Sequence, residues 1–165
     1  MIGHILIGEQ AKADLVLDSG ATQFVVIEAK INALLSPGIR HAPDFDQAAR
    51  SVACMTEVLH QAAITPKEMD MLAFVVLAPE TAIEAGKFSR EMDLAGMRGK
   101  IQARVDVYEG HLDDWYQAWA EPTLAAISLH LVSWEQAIRG LKPEASTSLK
   151  RFYDLCLTFN ERSLA

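Results

Sequence analysis

Residues 14–30 read DLVLDSGATQFVVIEAK, and their two short apolar runs, separated by turn chemistry, decide the fold class. Gln23 to Ile27 is an aromatic and β-branched run, the composition of a strand. Asp18-Ser19-Gly20-Ala21 before it is turn chemistry, and Asp14 to Leu17 is a second, shorter strand-like run. Ile5 to Ile7 precedes the turn-forming Gly8-Glu9-Gln10, so the first part of the chain reads as an antiparallel meander. In the last of these strands a period of two sends Glu28 and Lys30 to one face. A carboxylate and an ammonium therefore emerge side by side at the strand end. Asp14, opening the neighbouring strand, is expected near that same end.

Moving outward, Ser36-Pro37-Gly38 and Ala42-Pro43 predict a loop, because the residue before a proline is pushed away from helix. A helix is expected to start with Asp44 as its cap and to carry Phe45, Ala49, Val52, Met55, Leu59 and Ala63 as one apolar stripe. Gln47, Arg50, Cys54 and Gln61 fall on its other side, and Pro66 closes the region. Met71 to Ala78 (MLAFVVLA) is a continuous apolar run of the length of a central strand covered on both faces. The strand, helix and strand make a crossover, which places the two strands in parallel.

Beyond Pro79 a helix is expected through Met97, Ile101, Val105 and Tyr108, and a short one opening at Asp113-Asp114-Trp115. Ile127 to Leu131 alternates like a strand, Ser133 with Gln136 makes a capping box for a helix ending near Gly140, and a last helix shows Leu149, Phe152, Tyr153, Cys156 and Phe159 as its apolar face. The expected fold is α/β, a mixed sheet of about five strands with helices on both sides.

The chain has 165 residues, 50% of them apolar and 22% charged, which predicts one globular domain and excludes disordered, collagen-like and coiled-coil classes. Its longest apolar run is under half a bilayer span, and Met1 to Ile7 lacks the basic flank and apolar length of a secretory signal, so a cytoplasmic protein is expected. Cys54 and Cys156 have no CxxC spacing, which argues against a disulfide framework and a zinc finger and predicts buried, reduced thiols. A formal charge of −7 opposes capture of nucleic acid by the whole surface, so a polyanion would need a local basic patch. Lys87, Arg90, Arg98, Lys100 and Arg104 supply such a stretch against only Glu91 and Asp93, whereas Asp106 to Glu121 carries five acids and no Lys or Arg.

Two carboxylates with a backbone carbonyl form an oxygen-rich partial cage suited to Mg²⁺ or Mn²⁺. Such an ion stabilises charge on a phosphorane and makes bound water a nucleophile, and Lys30 beside that water would orient it. This constellation resembles the PD-(D/E)XK nuclease superfamily, with its restriction-endonuclease-like core. Ala13-Asp14 stands in the place of the Pro-Asp element, Glu28-Ala29-Lys30 is the E-x-K element, and Gln47 lies in the first turn of the following helix, where many members carry Gln. An acid-x-Lys triplet alone arises by chance about once in a chain of this length. Here the triplet ends a strongly apolar strand and is followed by the helix bearing Gln47.

The resemblance covers residues 1–80 and implies Asp14, Glu28 and the Ala29 carbonyl as ligands of Mg²⁺ or Mn²⁺, Lys30 as the water-orienting residue, and Gln47 as an active-site hydrogen-bonding residue. Many members add a Glu from a helix before the first strand. The first expected strand here follows Met1 almost directly, so the site is expected to hold one ion, to hold it weakly, or to borrow from a second subunit. The whole is read as a single domain, 1–165, with a nuclease-like core (1–80) and a helical and strand elaboration (81–165). DNA is the favoured substrate, with Arg50, Arg98, Lys100 and Arg104 as its expected contacts and a homodimer as the assembly. The competing readings are a non-catalytic domain of the same fold, serving as a binding or oligomerisation module, and a small-molecule enzyme using the same carboxylates. His4, His60, His111 and His130 are dispersed without ligand spacing, and no glycine-rich phosphate loop or GxSxG elbow occurs.

Overall fold

The computed structural model describes residues 22–108 and 113–162. Its sheet contains β1 (Gln23–Ala29), β2 (Met71–Ala78) and β3 (Ser128–Ser133), paired in that order and all parallel. The expectation of about five strands in a mixed sheet is thereby corrected, while the α/β class stands. Residues 5–7 and 14–17, the other expected strands, lie outside the described residues. The parallel pairing has a physical reason: each connection between described strands is helical, and a helical crossover returns the chain to the same end of the sheet, which a hairpin does not.

The first crossover holds α1 (Gln47–Ala62); the second holds α2 (Glu80–Glu84), α3 (Leu94–Asp106), α4 (Asp113–Trp115) and α5 (Glu121–Ala126). Ala48, Ala49, Val52, Met55 and Leu59 of α1 form one buried cluster with Phe24 and Val26 of β1, Phe74 and Val76 of β2, and Met97 and Ile101 of α3. α6 (Trp134–Gly140) and α7 (Pro143–Arg162) build a second, smaller cluster in which Trp134, Ile138 and Tyr153 meet Ile31 and Leu77. Leu77 belongs to the opposite pleat of β2 from Val76, so the sheet carries helices on both faces, as its apolar β2 requires.

α1 starts two residues later than expected. Its cap is Asp46, whose Oδ1 accepts from the Ala49 amide at 3.1 Å. The helix ends on Ala63, whose φ of 53° is the left-handed geometry more often taken by glycine. In the loop before α1 a Cβ on Gly38 would lie 2.1 Å from the carbonyl oxygens of Ala42 and Pro43, so the close turn there admits only glycine. Between α4 and α5 the helix widens to π geometry over Tyr116–Ala120, and the Glu121 amide donates to the Tyr116 carbonyl. Pro122 explains the widening, because proline lacks an amide donor and its ring clashes with the carbonyl four residues back.

The inward stripe of α7 is Leu149, Tyr153 and Leu157, at a spacing of four, rather than the broader face expected; Phe152 and Phe159 are 53% and 72% exposed. Burial, and donation of its hydroxyl to Glu135 at 3.0 Å, push the Tyr153 phenol above its ordinary value. Cys54 is exposed, which corrects the expectation of a buried thiol there. No described helix is long and apolar enough to cross a membrane.

Candidate functional site

Along β1, Phe24 and Val26 point towards α1, and the same alternation carries Glu28 and Lys30 onto that face at the carboxyl end of the strand. Glu28 is only 9% exposed, and its Oε1 lies 3.0 Å from Lys30 Nζ. Lys30 Nζ also donates to Gln47 Oε1 at 3.0 Å, so the first residue of α1 closes over the strand end. Glu28, Lys30 and Gln47, singled out from the sequence, are therefore in one connected group. An ammonium has three donors, and these contacts occupy two.

The surroundings fix that group. The Lys30 amide donates to the Leu77 carbonyl at 2.7 Å, and its carbonyl accepts from Trp134 Nε1 at 2.8 Å, which ties the end of β1 to β2 and to α6. Because the Lys30 amide faces β2, the alternation of a parallel ladder turns the Ala29 carbonyl to the other edge of β1, away from the β1–β2 pairing. Gln47 Oε1 accepts further hydrogen bonds from the Ser36 amide (2.9 Å) and hydroxyl (3.2 Å), while the Gln47 amide donates to the Ser36 carbonyl at 2.9 Å. Among the described residues the one sealed polar side-chain atom without a partner is Thr123 Oγ1, so the second oxygen of Glu28 is not a sealed orphan.

Compared with known protein families, curated proteins and solved structures, the chain matches none.

Whether these residues suit a hard cation is a question of donor chemistry. Glu28 and the Ala29 carbonyl are two oxygen donors of the kind Mg²⁺ accepts, and that ion commonly takes one or two carboxylates and completes its shell with water and substrate phosphate. The fit is thus chemically sound but partial: among the described residues no three His, Cys, Asp or Glu side chains gather into a metal-holding group. Asp14, the expected further ligand, lies outside the described residues.

The expected nucleic-acid contacts are mostly engaged within the chain. Arg50 turns back on its own loop, donating to the carbonyls of Pro37 (3.2 Å) and Phe45 (3.1 Å) and to Ser36 Oγ (3.0 Å). Arg98 pairs with both carboxylate oxygens of Glu121. Lys100 lies 2.6 Å from Asp46 Oδ2, and both side chains are 11% exposed. Arg104 sits over the ring of Tyr108, 5.7 Å from its centroid. Lys87 and Arg90 are exposed, make no ion pair among the described residues, and so remain as cations of the basic stretch. Lys87 lines a cleft of about 410 Å³ beyond the carboxyl ends of β1 and β2, with Asn32, Thr81 and Phe88. The carboxyl ends of parallel strands are where open α/β sheets bind ligands.

Sequence reasoning missed Ser36, the Asp46–Lys100 pair and the Trp134 contact. The Ser-Pro pair marks position 36 as extended loop, but nothing in its spacing aims the hydroxyl at Gln47. The other two link residues 54 and 104 positions apart.

Proposed function

We propose that the chain is a metal-dependent phosphodiesterase acting on nucleic acid, with DNA the favoured substrate, through a site of PD-(D/E)XK type. The observation that carries this reading is the convergence of Glu28 and Gln47 on Lys30 Nζ, each at 3.0 Å, at the carboxyl end of a parallel strand. Glu28 and the Ala29 carbonyl would hold Mg²⁺ or Mn²⁺, with Asp14 as the further proposed ligand. The ion, when bound, would acidify a water and offset charge on the phosphoryl oxygens. Lys30, anchored by two of its donors, has a third for that water or for the attacked phosphate. Gln47 keeps the ammonium in place from the helix side, and Trp134 holds the backbone of the same residue. Lys87 and Arg90 are the strand contacts this geometry favours, in place of the self-paired Arg98 and Lys100.

A second reading, a non-catalytic binding or oligomerisation module, is favoured by one observation: most of the cations expected to meet nucleic acid are neutralised or braced within the chain. Calorimetric titration of Mn²⁺ into wild type and Glu28→Ala separates the two. Binding to wild type that disappears in the variant is expected for the phosphodiesterase. Absence of heat from wild type, with or without DNA, would favour the module.

A further inference from the structure

Three donors converge on one end of the Gln47 amide: Lys30 Nζ at 3.0 Å, the Ser36 amide at 2.9 Å and the Ser36 hydroxyl at 3.2 Å. An ammonium and a backbone amide can only donate, so that end must be the carbonyl oxygen. The NH₂ end then faces elsewhere, with two donors and no partner among the described residues. Ser36 grips this residue through its carbonyl as well, which accepts from the Gln47 amide at 2.9 Å. Arg50 donates to Ser36 Oγ at 3.0 Å, which leaves the hydroxyl proton for Gln47. Gly38, which no larger residue can replace without displacing the Ala42 and Pro43 carbonyls, keeps this loop close to α1.

We propose that Ser36 is a positioning residue whose hydroxyl tightens the hold that its amide and Lys30 Nζ have on the Gln47 oxygen, so that Gln47 Nε2 and the remaining Lys30 donor together contact an oxygen of the substrate phosphate. The identity of the substrate rests on the phosphodiesterase reading; the orientation of the amide does not. Position 47 then requires an amide, because one end must accept three hydrogen bonds while the other donates to an anion. Glutamate has the same shape and accepts the same three bonds, but it places a negative charge where the donor was.

The test is titration of inorganic phosphate into isotope-labelled full-length chain, followed on the Gln47 side-chain NH₂ resonances, beside Mn²⁺-dependent cleavage of duplex DNA. Phosphate is expected to move those resonances in wild type and to move them less in Ser36→Ala, with Ser36→Thr restoring the response. Gln47→Glu is expected to melt no lower than wild type and yet to raise KM for DNA by about tenfold or more, the loss of a charge-assisted hydrogen bond, with a smaller change in kcat. Gln47 resonances that ignore phosphate, or that respond identically in wild type and Ser36→Ala, would overturn the proposal, and cleavage by wild type would then leave the phosphodiesterase intact. Resonances that move in a protein that cleaves no DNA would support the phosphate contact while removing the phosphodiesterase reading.

Discussion

Glu57 accepts hydrogen bonds from Trp115 Nε1 at 2.8 Å and from Gln61 at 2.9 Å, and His60 lies 3.3 Å away. Slight burial acts to raise its carboxyl, but the hydrogen bonds from Gln61, His60 and Trp115 outweigh it and hold the group below its ordinary value of 4.5. A carboxyl lowered by folding stabilises fully above its unfolded value, and that contribution is lost as the pH falls through the lower, folded value. Wild type should therefore exceed Glu57→Gln in thermal stability above pH 4.5, by no more than about 1 kcal/mol because the side chain is 45% exposed, and the difference should vanish in stronger acid. Melting curves of both proteins across the acid range check this, and a difference independent of pH would contradict it. At this scale the sequence was informative where periodicity acts. Glu28 and Lys30 share a face because two residues separate them on a strand, and the structure sets them 3.0 Å apart. Ser36 was illegible because an exposed loop residue has no period, and its partner lies 11 positions on.

The elements were legible to the degree that each carries its own pattern. β2 matches the expected Met71 to Ala78 run, and the capping box of Ser133 and Gln136 opens α6. The start of α1 is not legible locally, because Asp44 and Asp46 are equal as caps on local chemistry. What distinguishes Asp46 is tertiary: one oxygen caps the helix while the other pairs with Lys100 of α3. That pair fastens α3 to the same helix end that carries Gln47. Lys100→Met keeps most of the aliphatic stem but leaves a nearly buried carboxylate half satisfied, and should cost about 2–4 kcal/mol in urea unfolding. A loss within the roughly 0.5 kcal/mol of an ordinary surface substitution would show that the tie contributes little. The inward face of α7 differs from the expected one for a related reason: several apolar residues are available on the helix, and only packing against α6 selects Leu149, Tyr153 and Leu157.

For the whole molecule, composition and crossover logic were enough for an α/β chain with β1 and β2 parallel, but not for the strand number or for a sheet of one direction. Strand direction depends on how each connection passes over the sheet, and the helical passage from β2 to β3 has no local signature. The charge balance has a similar history. A basic stretch on a chain of net charge −7 suggested a polyanion surface, yet Arg98 and Lys100 find acids elsewhere in the fold. What the two long crossovers accomplish is to bring the end of β1, the start of α1 and Trp134 of α6 to one place, around Lys30. The central claim is that this place hydrolyses phosphodiesters, and its most direct test is cleavage of duplex and single-stranded DNA in Mn²⁺ by wild type, Glu28→Ala and Lys30→Ala. Metal-dependent cleavage by wild type that falls by about a hundredfold or more in both folded variants is the predicted result. Cleavage that survives unchanged in Lys30→Ala, or that wild type never shows in Mn²⁺, would contradict it.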